Sequence, residues 1–237
     1  MKLLIDAGNT RIKWSLVKGN EWLCSGTLPV EGVSELSSHL FDLHDIQQIW
    51  VSNVAGEEVA RHIRNLGVGQ IYFIVAQKSQ CGVHNGYLNV EQLGSDRWAA
   101  LIAAWHFAQV GCLVVNCGTA TTIDTLSMQG EFLGGLILPG VELMQHSIID
   151  ATEQVKAGRG NYAFFPLNTA DAMYSGAIQA SCGAIERQKA LLDKESVVVL
   201  SGGAAGKLQP YLGMVTRSVD NLVLRGLLLI AQEACKR

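Results

Sequence analysis

The stretch Leu3–Leu23, LLIDAGNTRIKWSLVKGNEWL, predicts a strand, a tight turn around Gly8, a second strand and a second turn. The apolar run before Asp6 and the β-branched and aromatic residues after the turn are typical of neighbouring strands. A similar stretch, LVVNCGTATTIDTLSMQGEFL, covers Leu113–Leu133. Shifted by 110 residues, the two stretches align without a gap and share five identities in 21 positions. The repeat predicts two domains that descend from one fold.

The alignment places an amide of the second copy where the first copy has a carboxylate, because Asp6 coincides with Asn116. The other aligned pairs include Gly8 with Gly118, Ser15 with Thr125, and Leu16 with Leu126. Both copies also carry a second turn at the same place, KGNEW and MQGEF. We therefore expect two equivalent hairpins whose first turns differ in charge.

Short apolar strands and amphipathic segments alternate along the rest of the chain, which predicts an α/β fold. Helices are predicted over residues 34–44, 52–67 and 92–109, from about 141, over 169–192, and from about 221. The second of these is expected to be capped by Ser52 or Asn53 and to stop at Gly67. The domain boundary is expected near Gly111, with residues 1–111 and 112–237 forming the two domains.

Composition restricts the class of protein. Of 237 residues, 49% are hydrophobic and 16% are charged, which is enough apolar material for a sizeable core. The net charge of −3 gives no electrostatic reason to expect nucleic acid or a membrane as a partner. No apolar stretch has the length of a signal peptide core or a membrane span, so a cytoplasmic location is expected. The six cysteines form no C-x-x-C pair and are expected to be free thiols.

The motif DAGNT at the first turn suits a phosphate site. Gly8 lets a ligand approach the backbone, and Asn9 and Thr10 add donors to those of the turn amides. Lys13 supplies positive charge on the next strand. Asp6 is expected beside a phosphate only if Mg²⁺ or its water shell lies between the two anions. An ordinary hairpin turn is the alternative.

The motif CGTATTID repeats this geometry, with Thr119, Thr121 and Thr122 as donors; a threonine-rich strand is the alternative. Two such turns at equivalent places favour a nucleotide site over two unrelated hairpins. A third segment, SGGAAG, follows a buried strand, and its small residues leave room for an adenine or ribose. Neither a P-loop nor a dinucleotide-binding fingerprint is present.

The motif GSDR begins a predicted amphipathic helix, with Ser95 as its cap and Asp96 in the first turn. Capping and the helix dipole alone explain such residues. The functional interpretation makes Asp96 the general base for a substrate hydroxyl and lets Arg97 hold an anion.

Five segments in this order resemble the type III pantothenate kinases: DAGNT, GYLNVEQLGSDRWAAL, GTATTID, NTADAMYSG and SGGAAG. The resemblance implies two ribonuclease-H-like domains of the actin/hexokinase/Hsp70-like superfamily, with ATP in the cleft between them. It implies transfer of the γ-phosphoryl group of ATP to pantothenate, the first step of coenzyme A synthesis. It also implies a homodimer that needs Mg²⁺ and a monovalent cation, K⁺ or NH₄⁺.

The resemblance further implies roles for particular residues. Asp96 matches the general base. The phosphate-binding positions are Asp6, Ala7, Gly8, Asn9, Thr10, Arg11, Ile12 and Lys13, with Thr119 in the second turn. The pantothenate-binding positions are Tyr87, Gly94, Ser95, Asp96, Arg97 and Thr169.

Two positions depart from the family pattern. Asn116 stands where the family usually has an aspartate that helps to bind the monovalent cation, so a weakened or altered cation site is expected. Val90 stands where a proline is frequent, which is expected to change only the stiffness of the loop. Asn116 also leaves open a nucleotide-binding regulator with reduced or no kinase activity. A kinase for another hydroxylated acceptor is the third possibility.

Overall fold

The computed structural model describes residues 1–40, 45–152 and 158–236. Contacts divide the chain into two compact units. The first comprises Met1–Phe107 together with Asn221–Arg237, and the second comprises Ala108–Asp220.

The first unit is built on a five-stranded sheet. Its strands are β1 (Lys2–Ala7), β2 (Arg11–Lys18), β3 (Glu21–Pro29), β4 (Gln48–Asn53) and β5 (Gln70–Phe73), in the spatial order β3-β2-β1-β4-β5. The pairs β1–β2 and β2–β3 are antiparallel, whereas β1–β4 and β4–β5 are parallel. The predicted strand, turn and strand around Gly8 are therefore confirmed.

Helices cover the sheet of this unit. A 3₁₀ helix over Val30–His39 and helix α1 (Glu57–Arg64) contribute to the main apolar core, and helix α2 spans Ser95–Ala108. A short hairpin, β6 (Ser79–Gln80) and β7 (Val83–Asn85), precedes a second 3₁₀ helix at Val90–Gln92. The core on one face of the sheet includes the fully buried residues Leu3, Ile5, Ile12, Leu36, Ile49, Val51 and Ile63.

The second unit repeats this topology. Its strands are β8 (Cys112–Cys117), β9 (Ala120–Leu126), β10 (Glu131–Pro139), β11 (Val197–Ser201) and β12 (Thr216–Ser218). They are arranged as β10-β9-β8-β11-β12, with the first three antiparallel and the last two parallel to β8. Its helices are α3 (Val141–Asp150), α4 (Thr169–Lys189) and the single turn α5 (Ala205–Leu208). The α/β class and the duplicated fold are confirmed.

A shared irregularity supports the duplication. In the first unit Leu16 pairs with Cys24 and Val17 with Trp22, so Leu23 is an extra residue in β3. In the second unit the register shifts between Phe132 and Gly134, so Leu133 is the extra residue. These two bulges lie 110 residues apart, as the repeat requires.

The predicted alignment without a gap is wrong for the middle strand. Three residues separate β1 from β2, whereas only Gly118 and Thr119 separate β8 from β9. Asp6 pairs with Lys13 in the first hairpin, and Asn116 pairs with Thr122 in the second. The second turn is one residue shorter, so β9 is offset by 109 residues from β2, and the longer turn before β10 restores 110.

The last helix, α6 (Leu222–Ala234), belongs to the first unit, whereas the predicted division assigned it to the second. Its sequence, LVLRGLLLIAQEA, is apolar on most sides, and it contacts β1, β2 and β4. Gly226 lies so close to α2 that a Cβ there would be 1.9 Å from the Ala99 carbonyl oxygen. A glycine and an apolar surface thus let α6 pack tightly inside the first unit.

Two further predictions about helices are corrected. Ser52 and Asn53 lie in β4, and the N-cap of α1 is Gly56, whose φ of 96° suits only glycine. The helix predicted over 34–44 is the 3₁₀ helix that ends at His39, and Leu43 and His44 lie outside the described residues. Across the described ranges, no helix is both long enough and apolar enough to span a bilayer.

Candidate active site

The end of β1 brings a carboxylate, an ammonium group and a hydroxyl group together. Asp6 is paired with Lys13 on β2 and with Ser52 on β4. Its neighbours Ile5 and Ala7 are fully buried in the main core of the first unit. Because side chains alternate along a strand, Asp6 lies on the opposite face from that core.

The electrostatics of Asp6 show that Asp96 is nearby. Burial raises the pKa of Asp6 from 3.8 to about 7, the negative charge of Asp96 raises this pKa further within that value, and Lys13 lowers it. Asp6, Lys13 and Asp96, three residues predicted from the sequence to act together, thus form one charged cluster. Two facing carboxylates repel each other, and a cation or a shared proton relieves that repulsion.

The start of α2 is fastened to the sheet by a buried pair of hydroxyl groups. The hydroxyls of Ser52 and Ser95 are hydrogen bonded at 2.9 Å. Ser95 therefore does not cap the helix as predicted, because its hydroxyl is directed to β4. The Gly94 carbonyl accepts the first helical hydrogen bond, from the Trp98 amide at 3.0 Å. The Asp96 carboxylate accepts the Arg97 amide at 2.8 Å, so Asp96 is in the first turn as predicted.

The next residue of α2 forms a second polar feature. Arg97 is buried, with 6% of its surface exposed, and its Nη1 donates to the Tyr87 hydroxyl at 3.0 Å. Its guanidinium carbon lies 5.7 Å from the centroid of the Tyr87 ring. A buried guanidinium and a phenol that share a hydrogen bond can bind a carboxylate through several donors.

Three backbone segments meet at the end of β8 in the second unit. The Gly140 amide donates to the Thr119 carbonyl at 2.8 Å, and a Cβ on Gly140 would lie 2.3 Å from the Gly118 carbonyl oxygen. A Cβ on Gly202, whose φ is 95°, would lie 2.3 Å from the Cys117 carbonyl oxygen. The glycines at 140 and 202 are thus explained by chain packing alone.

Gly203 and Gly206 are different, because a Cβ at either position would meet no atom within 4 Å. Packing therefore does not require a glycine at these two positions. Open space beside backbone at the end of a parallel strand is where nucleotides bind in α/β sheets. This segment keeps its predicted place as a candidate for contact with adenine or ribose.

The surroundings of Asn116 are uncharged along the sheet. Its strand neighbours are Thr122 on β9 and Ser201 on β11, in the places that Lys13 and Ser52 occupy around Asp6. The second copy has therefore lost the ammonium group as well as the carboxylate. Three neutral oxygen-bearing side chains remain there, and Ser201 is buried.

The remaining predicted phosphate-binding residues fall into two groups. The side chains of Ala7 and Ile12 are fully buried in the apolar core and leave only their backbone for a ligand. Asn9, Thr10 and Arg11 are exposed at the first turn. The Gly8 amide donates to the Arg11 carbonyl at 3.1 Å and so closes the turn, which removes it from the donors predicted for a phosphate.

Thr169 is the first residue of α4, and its side chain is exposed. The helix is capped by Asn168, whose side chain accepts the Asp171 amide at 2.9 Å. The two carboxylate oxygens of Asp171 accept the Asn161 amide and the Asn168 side chain, each at 2.7 Å. The segment that precedes α4 is thus fastened to its first turn.

The cysteines are not reactive candidates. Burial raises the pKa values of Cys112 and Cys117 to about 12 and that of Cys182 to about 11, so these thiols stay protonated at neutral pH. All six cysteines are free, as predicted. No group of three or more His, Cys, Asp or Glu side chains within the described ranges is arranged to hold a metal ion.

Sequence reasoning missed three polar residues: Ser52, Ser201 and Asn85. The two serines end equivalent parallel strands, and each begins a similar segment, SNVAG and SGGAAG. A repeat search extended beyond the hairpins contains that signal. Asn85 carried no signal, because its contacts are visible only in the folded loop.

Comparison with known proteins identifies the family. The sequence model of the type III pantothenate kinases matches residues 2–190. This chain belongs to the type III pantothenate kinase family. The type III pantothenate kinase of Nitrosospira multiformis is 46% identical over 238 residues, which covers 98% of this chain and 91% of that protein.

Solved structures support the fold. A crystal structure of a Baf family protein from Campylobacter jejuni has a TM-score of 0.64 and 24% identity and covers 99% of this chain and 100% of its own. MreB5 of Spiroplasma citri, solved with AMPPNP, has a TM-score of 0.52 and 9% identity and covers 99% of this chain and 97% of its own. At such identities the likeness shows the fold alone, which is that of the actin-like ATPases.

Proposed function

We propose that this type III pantothenate kinase transfers the γ-phosphoryl group of ATP to the primary hydroxyl of pantothenate, in the cytoplasm, as the first step of coenzyme A synthesis. The observation that carries the proposal is the arrangement around the start of α2. The same helical turn supplies a carboxylate beside Asp6 and a buried guanidinium that is hydrogen bonded to Tyr87.

Each polar group at the start of α2 has a part in binding or activating the acceptor. Arg97 and the Tyr87 hydroxyl bind the pantothenate carboxylate, which fixes the molecule at its acidic end. Asp96 accepts the proton of the hydroxyl group at the other end. The hydroxyl oxygen then bonds to the γ-phosphorus as the bond to the ADP oxygen breaks. Positioning and charge complementarity supply most of the rate enhancement in such transfers.

The phosphates of ATP are assigned to the two glycine turns. At the first turn Lys13, Asn9 and Thr10 offer an ammonium group and polar donors, and Thr119 is the proposed contact at the second. The donor set fits a hard divalent cation, since Asp6 is a carboxylate whose repulsion from Asp96 a cation relieves. Asp6 would hold Mg²⁺, directly or through water. When bound, Mg²⁺ supplies charge that screens the phosphate oxygens from the carboxylates.

The monovalent cation site is proposed to be weak. Asn116 can offer an amide oxygen, and its strand neighbours Thr122 and Ser201 can offer hydroxyls, but none of the three carries a charge. Hard cations bind oxygen ligands more tightly when a carboxylate is among them. We therefore expect phosphoryl transfer to persist with a reduced dependence on K⁺.

A homodimer is proposed as the working form. The segment before α4 exposes Phe164, Phe165 and Leu167, with 76%, 88% and 98% of their surfaces accessible. This segment is held by a stack of Tyr162 on Tyr211 with ring centroids 3.9 Å apart. An ordered segment that presents three large apolar side chains is typical of an interface. Light scattering at several protein concentrations measures the oligomeric state.

The test of the proposed function compares acceptors. ADP formation is measured with pantothenate, with an N-alkyl amide of pantothenate that lacks the carboxylate, and with unrelated sugar alcohols. The account predicts the highest kcat/KM for pantothenate and a large rise in KM for the amide. Turnover of a different hydroxylated acceptor alone would favour the kinase of other specificity, and binding of ATP and pantothenate without product would favour the regulator.

A further inference from the structure

The loop that carries Tyr87 has little apolar anchorage. Gly86, Leu88 and Asn89 are exposed, and Leu88 is fully accessible to solvent. Burial resumes only at Leu93, with 2% of its surface exposed. Because apolar burial is the usual means of fixing a segment, some other interaction must fix this one.

Asn85 is the buried polar residue at the start of this loop, with 2% of its surface exposed. Its side-chain oxygen accepts the Tyr87 amide at 3.0 Å, and its side-chain nitrogen donates to the Val90 carbonyl at 3.3 Å. Its own amide donates to the Lys78 carbonyl at 2.9 Å. One carboxamide thus joins the beginning and the end of the turn that presents Tyr87.

We propose that Asn85 is a positioning residue for recognition of the acceptor carboxylate. By fixing the 85–90 turn, its side chain holds the Tyr87 hydroxyl against the Arg97 guanidinium, so that both groups face the carboxylate together. This inference rests on the proposed function, because it specifies how that acceptor is held. Asn85 itself touches neither ATP nor the reacting hydroxyl and is therefore expected to affect binding of one substrate only.

The loop offers a matched control. Asn89 is also an asparagine of this loop, and its side-chain oxygen accepts the Glu91 amide at 3.3 Å, but the residue is exposed and does not contact Tyr87. Asn85→Ala and Asn89→Ala each remove a side chain that bonds the loop backbone. Only the first releases Tyr87.

The loop also offers a suppressor. Val90 is the first residue of the 3₁₀ helix, and the residue before it, Asn89, has φ −107° and ψ 104°. A proline fits the first helical position, and an extended preceding residue is what proline requires. Val90→Pro stiffens the turn without the Asn85 side chain, so it should recover part of what Asn85→Ala loses.

The experiment measures KM for pantothenate, KM for ATP and kcat in the full-length variants. We expect Asn85→Ala to raise KM for pantothenate by about tenfold, as the loss of two buried hydrogen bonds implies, with kcat and KM for ATP changed by less than about twofold. Asn89→Ala should leave all three near wild type. Val90→Pro should lower the raised KM in the Asn85→Ala background. Asn85→Asp, which keeps the acceptor for Tyr87, should give an intermediate KM and serves if the alanine variant does not fold.

Three results would overturn the inference: an unchanged KM for pantothenate in both Asn85 variants, an equal rise in Asn89→Ala, or a parallel rise of both substrate KM values. These results leave the proposed function intact, because the wild type still turns over pantothenate. Absence of pantothenate turnover in the wild type would instead overturn the proposed function, and this inference with it.

Discussion

Ser52 at the end of β4 and Ser95 at the start of α2 share a buried hydrogen bond of 2.9 Å between their hydroxyl groups. Ser52 is also the strand neighbour of Asp6, and Ser95 precedes Asp96 in the chain. This single contact therefore links the strand that carries one carboxylate of the site to the helix that carries the other.

Replacing Ser52 tests that link. Ser52→Ala leaves the Ser95 hydroxyl buried without a partner, which should lower the free energy of unfolding by about 1–3 kcal/mol and reduce kcat. The double variant Ser52→Ala, Ser95→Ala removes both hydroxyls and should be less destabilised than the sum of the single variants. Denaturant unfolding measures the stabilities, and strict additivity would show that the two hydroxyls do not interact.

The raised pKa of Asp6 predicts a pH dependence of stability in the absence of nucleotide. The pKa is about 7 in the folded chain and 3.8 as the ordinary value, so the folded state holds the proton more tightly. Asp6 therefore stabilises the fold at low pH, and this contribution falls as the pH rises from about 4 to about 7. Asp6→Asn should remove this fall and be more stable than wild type at pH 8 by about 2 kcal/mol, after allowance for solvent screening.

The difference between wild type and Asp6→Asn, measured by denaturant unfolding at several pH values, isolates this group from the other carboxylates. A difference that stays constant from pH 4 to pH 8 would show that Asp6 titrates normally. The same substitution should abolish phosphoryl transfer, since Asp6 is the proposed ligand of Mg²⁺.

Two glycines of the second unit separate packing from ligand binding. Gly140→Ala should destabilise the fold strongly, because its Cβ would lie 2.3 Å from the Gly118 carbonyl oxygen. Gly203→Ala should fold normally, because its Cβ meets no atom within 4 Å, yet it should raise KM for ATP if the nucleotide lies there. Thermal unfolding and steady-state kinetics on both variants check this pair. An unchanged KM for ATP in Gly203→Ala and in the bulkier Gly203→Val would remove the nucleotide from this segment.

The amide at position 116 predicts a weak response to K⁺. Asn116→Asp restores a charge beside Thr122 and Ser201 and should make activity depend more steeply on K⁺ than in the wild type. Titration of K⁺ at a fixed ionic strength, with a large organic cation as the replacement, measures the dependence. Equally steep curves for the two proteins would show that the amide supports the cation site as well as a carboxylate does.

Much of the fold could be predicted from local patterns. The hairpin of β1 and β2 follows from strand-forming residues on either side of a glycine turn, and its repeat at β8 and β9 follows from matching residues. The exact register could not, since deletion of one residue at Gly118–Thr119 is compensated in the next turn and leaves the outer strands in phase. Helix α6 was assigned to the wrong unit because periodicity shows that a helix is apolar but not which sheet it covers.

The site shows the same division. Asp6, Lys13 and Asp96 could be predicted to act together from residue type and resemblance, and their electrostatic coupling agrees with that expectation. The role of Ser95 could not, because a serine before a helix is as good a cap as it is a partner for a distant strand. The Asn85 contacts depend on the folded path of the 85–90 turn, which no local pattern specifies.

The central claim is that Asp96 acts on the hydroxyl of pantothenate at a site where Arg97 and Tyr87 hold the carboxylate. The most direct measurement is pantothenate-dependent ADP formation by wild type and Asp96→Asn, together with pantothenate affinity measured calorimetrically. The account predicts turnover by the wild type, and a fall in kcat of about 10²-fold or more for Asp96→Asn with pantothenate affinity largely retained. Phosphorylation of pantothenate by Asp96→Asn at the wild-type rate would contradict it.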